Sequence, residues 1–104
     1  MNVTEFVRLL DADVRYRVRF ETDRGDVVGF TVQLECVAGD DWRPVIRYDT
    51  AHGFAHCDSY GPDGVVNRHE PMNVSSFGGG LTVAIRKVRA DWEQLVAAFR
   101  KAYP

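Results

Sequence analysis

The sequence predicts one α+β domain spanning residues 1–104: a five-stranded antiparallel meander with its apolar face covered by a single C-terminal helix. Two patterns carry this. From Val14 to Cys36, apolar and polar residues alternate with a period of two, the mark of half-buried strands. From Leu81 to Tyr103, apolar residues recur at helical spacing, so one stripe of a long helix faces a core. The length of 104 residues suits one domain, and 45% hydrophobic with 27% charged residues suits a folded one.

In residues 1–12, Phe6, Leu9 and Leu10 have the spacing of a short N-terminal helix. The first strand follows, with Val14, Tyr16, Val18 and Phe20 alternating with Arg15, Arg17, Arg19 and Glu21. The second carries Val28, Phe30, Val32, Leu34 and Cys36 on one face. A three-residue loop with Gly25 left-handed pairs Thr22 with Asp26. That register sets Phe20 opposite Val28, Val18 opposite Phe30 and Tyr16 opposite Val32. Slipping it by one residue would bury the arginines, so the phase is well determined.

Residues 42–49 form the third strand. Pairing Leu34 with Ile46 places Trp42, Ile46 and Tyr48 on the core side, and Pro44 marks an edge or a bulge. Residues 54–60 and 65–70 form a hairpin around Gly61-Pro62-Asp63-Gly64, the composition of a type I turn closed by a left-handed glycine. A glycine-rich break at Ser75–Gly80 precedes the helix. It lacks the Lys-Ser/Thr of a nucleotide loop, reads as a hinge, and leaves no cofactor implied. Leu81, Ile85, Val88, Trp92, Leu95, Val96, Phe99 and Tyr103 then form the buried stripe, with Arg86, Lys87, Arg89, Glu93 and Arg100 outward.

A formal net charge of −2 excludes a globally basic nucleic-acid binder, though not a local basic face. Cys36 and Cys57 lack metal-type spacing and read as buried free thiols. No run of about 18 apolar residues and no signal-like N-terminus is present, so a cytosolic protein with no membrane role is expected.

With the core face fixed, the opposite face of the sheet follows. The chained registers set Arg47 beside His56, His56 opposite Glu70, and Asp58 opposite Arg68. One row then reads Arg15, Gln33, Arg47, His56, Glu70, and a neighbouring row reads Arg17, Thr31, Asp49. A histidine that titrates near neutrality, a carboxylate to orient it and arginines to hold phosphate are the parts of acid–base RNA cleavage. In that reading His52, His56, Asp58 and Glu70 are catalytic and Arg15, Arg47 and Arg68 bind phosphate. Opposite charges paired across exposed strands account equally well for such a row.

His52 and His56 have the i, i+4 spacing of a helical metal pair, but on an extended strand they stand about 13 Å apart. A loop folding back at Gly53 would be needed to join them, with Asp49 or Asp58, around an ion; no metal is assigned. Cys57 points away from His56, because neighbouring strand residues face opposite sides. His69 has no assigned task. Tyr16, Phe30, Trp42, Tyr48 and Trp92 are explained by packing.

The segment from Trp42 to His56, with Arg47-Tyr48-Asp49-Thr50-Ala51-His52 at the strand end and a second histidine on the next strand, resembles short prokaryotic proteins sharing that phrase. More distantly it resembles the TumE family of toxin–antitoxin toxins. That resemblance implies a small toxin acting on RNA, held inactive by a protein antitoxin. It singles out Arg47, Asp49, His52 and His56, and Tyr48 stands with Asp49 as a further candidate site residue. The chain departs from the family where His52 and Gly53 follow Ala51. Two other readings stand beside it: a non-catalytic module binding a protein partner or a second copy on its open sheet face, and a small metal-binding protein using Asp49, His52 and His56.

Overall fold

A computed structural model describes residues 1–103 of the chain as an α+β fold. Six strands run in chain order through one antiparallel sheet: β1 (Asn2–Asp11), β2 (Val14–Asp23), β3 (Asp26–Ala38), β4 (Asp41–Asp49), β5 (His56–Tyr60) and β6 (Val66–Pro71). A single helix, α1 (Phe77–Ala102), crosses one face, chiefly over β3 and β4. The meander is as expected, with one strand more than predicted.

The extra strand is β1, where the spacing of Phe6, Leu9 and Leu10 had suggested a helix. β-branched Val3, Thr4 and Val7 favour extended chain. Extension also sets Phe6 opposite Val18 and turns Phe6 and Leu10 toward the core. A local helical pattern therefore loses to pairing along β2.

The β2–β3 hairpin closes on Arg24 and Gly25, with φ of 53° and 84°. Two successive left-handed residues make the two-residue turn that matches strand twist, not the predicted three-residue loop. Thr22 then pairs with Val27, and an extra residue at Val28 sets Glu21 opposite Gly29. Phe20 consequently faces Phe30, Val18 faces Val32 and Tyr16 faces Leu34. The slip is two residues, so both apolar rows keep their face.

Leu34 pairs with Ile46 as expected, but the ladder shifts between Leu34 and Glu35, where Pro44 pairs with Glu35 and Val45 is the extra residue. This bulge reverses the phase of the strand before it. Val45 and Ile46 are both buried toward the helix, and Trp42 turns to the opposite face, where the Arg15 guanidinium lies 4.0 Å from its ring centre. The prediction that Trp42 packs in the core is thus corrected by the bulge that Pro44 signalled.

Val14, Tyr16, Val18, Phe30, Val32, Leu34, Cys36, Ile46 and Tyr48 meet Leu81, Ala84, Val88, Val96 and Phe99 in one core. The glycine run before the helix is not a hinge: Gly78–Gly80 form its first turn, capped by Ser76, whose hydroxyl accepts a hydrogen bond from Gly79 N–H at 3.0 Å. A Cβ on Gly80 would come within 3.1 Å of the Phe30 ring, so glycine lets helix and sheet close together there. Arg100 near the helix end binds Asp13 at 2.8 Å, tying the β1–β2 turn to α1.

Candidate functional site

The face of the sheet away from α1 carries the polar residues in two rows. One crosses the strands as Val7, Arg17, Gln33, Arg47, Asp58 and His69. The next reads Glu5, Arg19, Thr31, Asp49, His56 and Pro71. Arg47 and His56 project from the same face on adjacent strands, as the strand phase required. Their pairing differs from the expectation: His56 faces Asp49, and Arg47 faces Asp58.

A larger correction concerns β6. The turn begins in the predicted register, Tyr60 opposite Val66, and then an extra residue at Asn67 shifts the ladder by one. Beyond it Ser59 faces Arg68, Asp58 faces His69 and Cys57 faces Glu70. A one-residue shift exchanges the two faces of a strand. Glu70 and Arg68 therefore lie on the helix side, near Lys87, and bind each other in an exposed ion pair. His69, with no predicted task, takes their place. Its type and neighbourhood were visible in the sequence, but the bulge that turns it inward was not. Tyr48 lies buried under α1, away from the polar face, and burial raises its hydroxyl pKa well above the usual phenol range. Cys57 is also on that side, where burial pushes its thiol up to about 11.

His52 and His56 come closer than an extended strand would allow. After Thr50 the chain makes one 3-10 turn, Ala51–Gly53, with His52 at φ 70° and Gly53 at φ 85°. The fold-back leaves the two rings 6.1 Å apart, His52 exposed on the rim and His56 2% exposed at the centre. Phe54 covers His56 from the side at 5.3 Å, and the His69 ring stands 4.8 Å from it.

The hydrogen bonding around His56 is lopsided. Nδ1 lies 3.2 Å from the Phe54 carbonyl, which can only accept, so Nδ1 donates. Nε2 lies 2.8 Å from Asp49 Oδ1 and 3.6 Å from Asp58 Oδ2. Asp49 Oδ1 also accepts from the Ala51 N–H at 3.1 Å. The other Asp58 oxygen binds His69 Nδ1. Among the described residues, neither carboxylate pairs with lysine or arginine. Two largely buried carboxylates thus have imidazole nitrogens as their side-chain partners, and buried polar groups need such partners.

Arg47 is positioned by a relay along the face. Its Nε donates to Gln33 Oε1 at 2.7 Å, Gln33 donates on to Glu35, and Arg15 Nε donates to Glu35 at 2.7 Å. The guanidinium of Arg47 lies 5.9 Å from the Tyr60 ring. Arg15 is committed to Glu35 and Trp42, away from the histidines. Between β1 and β4 the face forms a shallow trough of about 490 Å³, bordered by Arg17, Arg19, Thr31, Gln33 and Arg47. Of the predicted residues, then, the structure gathers His52, His56, Asp58, Asp49 and Arg47, and separates Arg15, Tyr48, Arg68 and Glu70 from them.

No helix among the described residues is long and apolar enough to cross a membrane. The model of a domain of unknown function, DUF7718, matches residues 1–103, and the chain belongs to that family. No curated protein and no solved structure matches it.

Proposed function

We propose that this member of the DUF7718 family is a TumE-like toxin whose open sheet face cleaves RNA, with His69, held by Asp58, as its base, His52 as its acid and Arg47 as the phosphate ligand. The observation that carries the reading is the contact of Asp58 with His69 Nδ1 on a half-exposed ring. A carboxylate on one imidazole nitrogen fixes ring and tautomer and leaves the other free for a substrate proton. In the reaction His69 Nε2 takes the proton of a ribose 2′-hydroxyl, O2′ attacks phosphorus, and the 5′-oxygen leaves with a proton from His52. The products are a 2′,3′-cyclic phosphate and a 5′-hydroxyl. Arg47, one strand from Asp58 in the same row, is placed to hold the charge that develops on phosphorus oxygens. The trough beside it would take the neighbouring backbone.

The test is expression of wild type and His69→Ala, with purified protein assayed on single-stranded RNA and on the same strand carrying one 2′-deoxy position. Cyclic-phosphate products missing at the deoxy position, and at least hundredfold slower in His69→Ala, are expected. Intact RNA, or cleavage indifferent to His69, overturns the reading.

One observation favours a second reading, a protein-docking module. β1 is a ten-residue edge strand that exposes Val3, Val7 and Leu9. Free strand edges pair readily with other chains. An antitoxin or a second copy adding a strand there would accommodate both readings.

A further inference from the structure

We infer that His56, Asp58 and His69, with Asp49 beside them, form a binding site for a divalent transition-metal ion of the zinc class. The inference concerns the same cluster as the cleavage proposal and rests on its being a site, not on RNA being its substrate. One ring nitrogen each of His56 and His69 and a carboxylate oxygen of Asp58 all lie within 4.8 Å of one another, and the contacts to Asp58 run through His56 Nε2 and His69 Nδ1. Ligands about 2.0–2.2 Å from a zinc ion stand roughly 3.5 Å apart, so a small inward turn of the half-exposed His69 ring closes the set.

Three further features point to a cation. Metal-bound histidines generally donate their second ring N–H to a carbonyl or carboxylate, which fixes the tautomer. His56 has that arrangement ready, with Nδ1 on the Phe54 carbonyl and Nε2 aimed at the carboxylates. Asp49 and Asp58 bring two carboxylates, mostly buried, and among the described residues neither forms an ion pair with lysine or arginine. The donor set also selects among ions. Two imidazoles and two carboxylates suit zinc and its first-row neighbours, whereas magnesium and calcium prefer all-oxygen surroundings.

Binding carries a regulatory consequence. The ion takes the position of the proton between His69 and Asp58, so in a metal-loaded chain His69 is no longer free to act as the base. Zinc is then an inhibitor of the cleavage proposed above, and its removal an activator.

The experiment uses full-length protein, freed of any tag and stripped with a chelator. Zinc chloride is titrated by calorimetry, and thermal melts are run with zinc or magnesium. One zinc per chain, a raised Tm with zinc alone, and at least tenfold weaker binding in His69→Ala and Asp58→Asn are expected, with Arg68→Ala unchanged. His69 is at the exposed rim of the cluster and Asp58→Asn keeps the side chain's shape, and circular dichroism confirms that the variants fold. Absence of zinc binding by wild type overturns the inference. Affinity unmoved by both substitutions overturns it equally. Zinc binding without RNA cleavage in either form supports the metal site and ends the cleavage reading; cleavage by stripped protein that zinc neither binds nor slows does the reverse.

Discussion

His56 Nε2 reaches Asp49 Oδ1 across the β4–β5 ladder at 2.8 Å, with the histidine 2% exposed. Removing one partner of a buried hydrogen-bonded contact leaves the other unsatisfied. His56→Ala should therefore cost about 3 kcal/mol, combining a cavity with an uncompensated Asp49. Urea unfolding followed by tryptophan fluorescence measures it. A loss under about 0.5 kcal/mol, within the range of surface changes, would mean that this contact does not form.

His52 occupies a left-handed backbone conformation at φ 70° without being glycine. L-residues are disfavoured there by roughly 1–2 kcal/mol. His52→Gly should therefore stabilise the chain by up to about 1 kcal/mol, after the entropy of a glycine is deducted, while slowing RNA cleavage. A stability gain with unchanged cleavage would retain the turn and remove His52 as the acid.

Trp42 and Arg15 stack on the open face, outside the core. Their coupling in a double-mutant cycle of Trp42→Ala and Arg15→Ala should be about 0.5–1 kcal/mol. A core tryptophan would instead lose about 3–5 kcal/mol on truncation, whatever stood at position 15. That result would restore the phase expected without the Val45 bulge.

Much of this architecture was legible in the sequence because period-two alternation encodes a face. Arg47 and His56 share a side because their parity in neighbouring strands is correct, even though the exact pairing slipped by two. The failures occurred where single extra residues entered a ladder. Val45 moved Trp42 out of the core, and Asn67 exchanged Glu70 for His69 in the site. Pro44 hinted at the first of these; Asn67 has no signature, since nothing in its residue type marks an extra residue in the β5–β6 ladder. Residues 1–12 failed differently, through a local helical spacing overridden by long-range pairing.

The Asn67 bulge makes a specific prediction. Its deletion converts the irregular pairing into a continuous ladder from Tyr60–Val66 to Ser59–Arg68 and keeps His69 opposite Asp58. Zinc affinity should then stay within about threefold of wild type, a change of roughly 0.6 kcal/mol. A loss of more than tenfold would show that the hairpin re-registers around its turn instead.

Cys36 is fully buried, and burial raises its thiol pKa above the ordinary value of 9.0. The native chain then keeps this proton at a pH where the unfolded chain has released it. Stability is thus at its full value below pH 9.0 and should decline as pH rises beyond it, by at most about 1.4 kcal/mol per pH unit from this group. Urea midpoints at pH 8 and pH 10 test the sign; an unchanged or higher midpoint at pH 10 contradicts it.

The helix rests chiefly on β3 and β4, while three of the four central groups, His56, Asp58 and His69, belong to the β5–β6 hairpin beyond them. Asp49 alone stands on the braced part of the sheet. The cluster therefore spans the junction between β4 and the β5–β6 hairpin. Whatever binds across that junction adds to the hold of the hairpin on the rest of the sheet, so a ligand there should raise the stability of the whole fold.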